Sequence, residues 1–294
     1  MREESTELKD FYESKVWRFH KIANPYKLIR LQNSLEFLTL KSTDLVLDAG
    51  CGGDDYTKIL PKTSTIIAID LSKGVIKNAK ENLQSANIFF IVAGVGHLPL
   101  KDGSLSKIVC VDVIEHIVNV EKCLREMARV LKPFGKISIF TACGNNRLSL
   151  EYILASLLGK LITLIRLKTG HIQLFTTSNL RKLFEPRFVI RSMQYMHHWM
   201  GWCLKFLWNT AHLKPSEGYH SSPLLKNSVS STFSRAFWLI LEAEYRLLKN
   251  KSLGSEIIIN AIKKIIITVQ DFLVRKSEVL NKVSIRVIMC ENLY

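Results

Sequence analysis

The sequence predicts an α/β chain built on a doubly wound, mostly parallel sheet of seven strands. Three observations carry that prediction. Between residues 44 and 142, short unbroken aliphatic runs alternate with amphipathic stretches, the pattern of strands covered on both faces by crossover helices. The first run, DLVLDAG, ends in an acid and breaks into a turn with Gly50 and Gly52 at alternate positions. Such a turn bends a buried strand sharply towards a helix while leaving backbone amides free for a ligand. The second run, STIIAIDL, ends in a further acid, Asp70.

Taken in order, residues 6–40 set Phe11, Tyr12, Trp17, Phe19 and Tyr26 at helical spacing and read as helices ahead of the sheet. DLVLDAG is the first strand, and a helix begins at 55–60. STIIAIDL is the second strand, with a helix over 73–84. NIFFIVAG and KIVCVDVI are the third and fourth, and a helix follows over 120–131. KISIFTA is the fifth, closed in front by Pro133 and Gly135. Residues 148–167 align Leu150, Ile153, Leu154, Leu157, Leu158, Leu161 and Leu164 on one helical stripe. A short helix, SNLRKLF, is expected to be capped by Ser178 before the strand RFVIRSMQYM. An aromatic-rich helical stretch fills 197–282, and VSIRVIMC alternates like an edge or antiparallel strand. The expected organisation is therefore N-terminal helices over 1–40, a sheet core over 41–196 and 283–294 with a helical insertion at 143–170, and a helical cap over 197–282. No internal repeat or low-complexity segment interrupts it.

The bulk composition is compatible with this. A chain of 294 residues that is 47% hydrophobic can bury a large core. The formal charge is 41 − 26 = +15, but the basic residues are spread along the chain in short doublets such as Lys263-Lys264, which argues against a nucleic-acid surface. The cysteines at 51, 110, 123, 143, 203 and 290 have no paired spacing and read as small buried hydrophobes of a reducing compartment. The start, MREESTELKD, is too charged for a signal peptide, and every long apolar stretch is broken by charge. A cytoplasmic chain with no membrane-spanning helix is expected.

The acids define the ligand. Asp48 closes the first strand, Gly50 and Gly52 allow the turn, and Asp70 stands where a carboxylate can accept from two vicinal ribose hydroxyls. A dinucleotide turn would place glycine at 55, where this chain has Asp55. Phosphate would be repelled by Asp48, Asp54 and Asp55 around a helix N-terminus. The turn suits a cationic adenosine compound.

The ordered segments VLDAGCGGD, AIDLSKGVIKNAKEN, HLPLKDGSLSKIVCVDVIEHI and ARVLKPFGKISI, spanning about residues 44–142, resemble the class I S-adenosylmethionine-dependent methyltransferases, in particular the broad small-molecule group that includes quinone and sterol enzymes. The resemblance implies a Rossmann-like methyltransferase fold with helical insertions at the cofactor face, and S-adenosyl-L-methionine as cofactor. It implies Asp48, Gly50, Cys51, Gly52, Asp70, Leu71 and Asp112 as the residues around that cofactor. Two positions depart from the family pattern: Asp54 replaces the third glycine of the turn, and Gly94 replaces an acid that caps the adenine amino group.

Methyl transfer asks mainly for alignment and exclusion of water, with a base needed only where the acceptor must lose a proton. His116 and His171 are the histidines expected nearest the cofactor and the candidates for a catalytic base, with ordinary packing the favoured reading of both. Asp112 and Glu115 are expected to fix the loop and helix N-terminus there. His197-His198 lacks a third ligand at useful spacing, so no metal is expected. The two helical segments, with Trp199, Trp202, Trp208 and Trp238 among basic residues, suit a small apolar or lipid-like acceptor taken from an anionic membrane surface. No nucleic-acid partner is expected. The competing reading is a non-catalytic module that keeps the fold and acts through protein or membrane contacts.

Overall fold

The computed structural model describes residues 25–52, 57, 60, 64–143, 149, 152–153, 171–173, 175–198, 203, 229–251 and 253–264. Helix α1 (Pro25–Leu38) opens on proline, whose fixed φ and missing amide suit a first helical position. Strands β1 (Leu45–Ala49) and β2 (Thr65–Asp70) follow, then α2 (Lys73–Asn82), β3 (Ile88–Val92), β4 (Leu105–Val111), a 3₁₀ turn (Ile114–His116), α3 (Val120–Val130) and β5 (Leu131–Ala142). The described remainder is α4 (Thr177–Phe184), β6 (Phe188–Met196), α5 (Val229–Leu248) and β7 (Glu256–Lys263).

The strands form one seven-stranded sheet in the order β3-β2-β1-β4-β5-β7-β6, parallel except for β7, which runs antiparallel to both its neighbours. The order reverses between β1 and β4, so ligands are expected beyond the carboxyl ends of those strands. Alternation of side chains splits the core. Leu47, Ile69, Ile108, Cys110 and Ile139 pack with Leu124 and Met127 of α3 and Leu180 and Phe184 of α4. Val109, Val111, Phe140 and Ile258 pack with Ile29 and Leu38 of α1 and Leu241 and Tyr245 of α5. The result is three layers, each sheet face burying one helix stripe.

The second half corrects the sequence reading. Residues 256–263 lie inside the expected helical cap, yet they form the strand that fills the gap between β5 and β6. Ile257, Ile258 and Ile259 are fully buried in it, because a central strand covered on both faces carries an unbroken apolar run that periodicity alone cannot tell from a buried helix. Helix α5 is likewise a core layer: Leu241 and Tyr245 are buried, and the Tyr245 hydroxyl donates to Gln194 Oε1 of β6 at 2.7 Å. Helix α4 is capped by Thr176, whose hydroxyl accepts from the Asn179 amide at 3.1 Å, two residues before the expected Ser178.

Several expectations lie outside the described residues: the helices before 25, the strand at 283–290, Trp199, Trp202 and Trp208, and all but Ser149, Tyr152 and Ile153 of the 148–167 stripe. Only Thr57 and Leu60 represent the helix expected from 55. Among the described residues, no helix is long and apolar enough to cross a membrane. Cys51, Cys110, Cys123 and Cys143 are buried as expected, whereas Cys203 is exposed.

Candidate active site

Beyond β1 the chain takes left-handed backbone at Gly50 (φ 78°) and Gly52 (φ 54°). At Gly50 there is also no room for a side chain, since a Cβ would stand 2.3 Å from Val113 Cγ2. At Gly52 a Cβ would meet nothing within 4 Å among the described residues. The Gly50 and Cys51 amides both donate to the Ile69 carbonyl, at 2.7 and 2.9 Å, and fold the turn over the end of β2.

That closure positions Asp70. The Gly52 amide donates to Asp70 Oδ2 at 3.0 Å and the Ser72 amide to Oδ1 at 2.9 Å. Two backbone amides thus hold the carboxylate in place at the carboxyl end of β2. Ser72 in turn caps α2, its hydroxyl accepting from the Val75 amide. Asp48 is only 2% exposed, and Thr57 Oγ1 donates to its Oδ2 at 2.6 Å. It lies beneath the turn. Cys51 packs with Ala68 and Ile76, and Leu71 stands beside Gly94, its Cδ1 3.6 Å from where a Gly94 Cβ would be.

The end of β4 is tied to α1. Asp112 has φ 54° and pairs through Oδ2 with Arg30 Nη1 at 2.7 Å. Arg30 Nη2 reaches Glu256 Oε2 at 2.8 Å, and its guanidinium lies 3.9 Å over the Phe140 ring. Buried His197 also contacts Glu256 through Nδ1. No local signal in the sequence predicts this tether, because Arg30 and Glu256 are 226 positions apart. The 197–198 pair is a packed one: both rings are buried, and burial lowers the His198 pKa against the opposing pull of the Leu248 and Lys251 backbone.

The structure brings His116 and His171 together, with ring centroids 4.9 Å apart and ring planes at 72°. The returning chain is pinned there. The amides of Ile172 and Gln173 donate to the Glu115 carbonyl at 3.0 and 2.9 Å, and Gln173 Nε2 reaches the carbonyls of Ile117 and Val118. Glu115 is 1% exposed, and its carboxylate accepts from Thr141 Oγ1 at 2.8 Å. Burial, helped by the negative charge of Asp112, pushes its pKa up to about 8 against the pull of its own amide and of Thr141. The sequence reading has Glu115 merely fixing the loop and misses its place beside both histidines. Burial also raises the thiols of Cys123 and Cys143 to about 12 and about 11, so neither is a thiolate nucleophile at neutral pH.

With this geometry in place, the chain can be compared with known proteins. Residues 47–139 match the family described as "Methyltransferase domain". An uncharacterized protein of Methanocaldococcus jannaschii is 34% identical over 143 residues, covering 45% of this chain and 60% of that one. The ubiquinone/menaquinone biosynthesis C-methyltransferase of Pseudomonas aeruginosa is 27% identical over 171 residues, covering 49% of this chain and 67% of its own length. The chain thus spans only part of the curated relatives it matches. Among solved structures, geranyl diphosphate C-methyltransferase from Streptomyces coelicolor A3(2), in complex with Mg2+, geranyl diphosphate and S-adenosyl-L-homocysteine, superposes with a TM-score of 0.59 at 14% identity. That superposition covers 89% of this chain and 98% of the other, and it shows a shared fold.

Proposed function

We propose that the chain, whose residues 47–139 match the family described as "Methyltransferase domain", transfers a methyl group from S-adenosyl-L-methionine to a small apolar or lipid-like acceptor. The observation that carries this reading is Asp70. The Gly52 and Ser72 amides fix its carboxylate at the carboxyl end of β2, the strand next to β1, beside the glycine turn.

The residues present fit the cofactor. In this reading the Asp70 carboxylate accepts from the ribose hydroxyls, Gly50, Cys51 and Gly52 bring backbone close to the methionine end, and Leu71 beside Gly94 offers an apolar wall to the base. Asp48 acts from beneath, holding the turn through Thr57. Asp48 and Asp70 give the turn an acidic character suited to a cation. When bound, S-adenosylmethionine supplies a methyl group already activated on a sulfonium, so the protein's work is alignment and exclusion of water. His116 and His171 stand on the acceptor side, where a ring nitrogen can take a proton from an acceptor that must lose one.

An apolar acceptor is supported by the names of two similar proteins, one acting in quinone biosynthesis and the other on geranyl diphosphate. The charge of +15 supports contact with an anionic membrane.

Calorimetry of the full chain with S-adenosylmethionine tests the core of the proposal. Binding is expected in the micromolar range, and a silent titration at millimolar cofactor would leave the non-catalytic module as the reading. Incubation of the chain with methyl-labelled cofactor and a lipid extract should then move label into an organic-soluble product. Flotation with anionic vesicles at low and high salt separates a membrane-borne acceptor from a soluble one.

A further inference from the structure

We infer that Glu115, His116 and His171 form a binding site for a divalent first-row transition-metal ion of the zinc or iron(II) class. One carboxylate oxygen and one ring nitrogen from each histidine all lie within 4.8 Å of one another. Metal–ligand bonds of about 2.0–2.2 Å hold such atoms somewhat closer than this around an ion, a difference that small side-chain rotations close.

The donor set has a definite chemistry. Two imidazoles and one carboxylate match the ligand sets of catalytic zinc sites and of the two-histidine, one-carboxylate iron centres, whereas magnesium and calcium prefer oxygen throughout. Three protein ligands leave at least one position open, and the half-buried state of both histidines gives that position access from outside.

The supporting structure also suits a metal. Carboxylates buried as deeply as Glu115 are commonly matched to a cation, and among the described residues Arg30 hydrogen-bonds to Asp112 and Glu256 instead. The Thr141 hydroxyl donates to the Glu115 carboxylate, the kind of outer contact that orients a metal ligand. The pinned backbone of 172–173 fixes the approach of His171 from a distant part of the chain. Glu115 and His116 are neighbours on a 3₁₀ turn, but only the fold adds the third donor. Sequence spacing therefore gives no sign of the site.

This inference rests on the methyl-transfer reading and puts the metal in place of a histidine base: the acceptor class it names is one that carries an oxygen able to occupy the open metal position. Its test is independent of that reading. Tag-free full-length protein, stripped with chelator, is titrated with Co2+ as a visible-absorbing probe. One equivalent is expected to bind with ligand-field bands, and Zn2+ should displace it. His116→Ala and His171→Asn, each checked for an unchanged thermal transition, should each weaken binding at least tenfold. Thr141→Val should weaken it about 10- to 100-fold through the outer contact. No cobalt band in the stripped wild type, or an unchanged band in the folded His116→Ala, His171→Asn double variant, overturns the site. Cofactor calorimetry on the same stripped sample keeps the two readings apart, because cofactor binding without a cobalt band sinks the metal alone.

Discussion

At the amino end of the sheet, cations cap carbonyls; at the carboxyl end, carboxyl groups accept from amides, hydroxyls and a guanidinium. Arg129, in the last turn of α3, donates to the Leu98 and Leu100 carbonyls and pairs with Glu126 and Asp102. Lys136 reaches the Phe37 carbonyl at the end of α1, and Lys263 reaches the Leu131 carbonyl. Helix ends and strand starts leave orphan carbonyls here, and basic side chains satisfy them. The opposite end gathers Asp48, Asp70, Asp112, Glu115 and Glu256, and Arg30 is the guanidinium hydrogen-bonded to two of them. One end is closed by its own charges. The other gathers acids with one described arginine paired to two of them, and in this fold that is the end where ligands bind.

The comparison breaks most severely if Arg30 is removed. Arg30→Met keeps the stem that packs on Phe140 but strands Glu256 and Asp112, and truncating one member of a buried charge network costs about 3–5 kcal/mol. Urea unfolding should show that loss. A loss under 1 kcal/mol would mean that the carboxyl edge needs no internal cation, and the contrast between the ends would be misdrawn.

The two glycines sharpen it next. Gly50→Ala combines left-handed backbone with a clash against Val113, which together should cost about 2–4 kcal/mol. Gly52→Ala meets nothing within 4 Å among the described residues, so backbone strain alone should cost about 1–2 kcal/mol, yet the methyl group projects where the cofactor is proposed to lie. Unfolding and calorimetry run side by side should therefore dissociate: large instability at Gly50, lost cofactor affinity at modest instability at Gly52. Equal effects at both would make the turn a purely structural device.

Asp70→Asn follows. It retains one acceptor oxygen but turns an amide group towards the Gly52 or Ser72 N–H. Loss of a charge-assisted acceptor is worth about 1.5–3 kcal/mol, so cofactor affinity should fall roughly ten- to hundredfold while the thermal transition moves little. An unchanged affinity would remove Asp70 from the ribose position.

How much of this was legible beforehand follows from the range of each signal. Asp48, Gly50, Gly52 and Asp70 lie within local patterns of strand, acid and turn, so the parallel half of the sheet and the turn could be read directly. The isoleucines of β7 were assigned to a helix because a run buried on both faces has no period. The Arg30–Asp112–Glu256 tether and the approach of His171 to His116 join positions far apart in sequence, and only chain folding creates them. Thr57 and Thr141 gave no signal either, since a threonine hydroxyl becomes informative only once the carboxylate it meets is known.

The smallest expected effect concerns the closed end and its acid limit. Glu126 accepts from Arg129 at 2.9 and 2.8 Å and from the Leu98 amide at 3.0 Å. Those contacts, the Arg129 hydrogen bond foremost, hold its carboxyl down at about 2 from an ordinary 4.5. A carboxyl lowered in the folded state contributes stability that is complete above its unfolded value and is lost as the pH falls through the folded one. The window is therefore pH 4.5 down to about 2. Because the group sits at the rim, where solvent screens it, the contribution should be only about 1–2 kcal/mol. Glu126→Gln should lower stability by that amount at pH 6 and by progressively less as the pH falls towards about 2, so the two stability curves converge on the acid side. Curves that stay parallel through this window would show that Arg129 is held by its carbonyl partners alone, and that the closed end owes its order to backbone capping rather than to ion pairing.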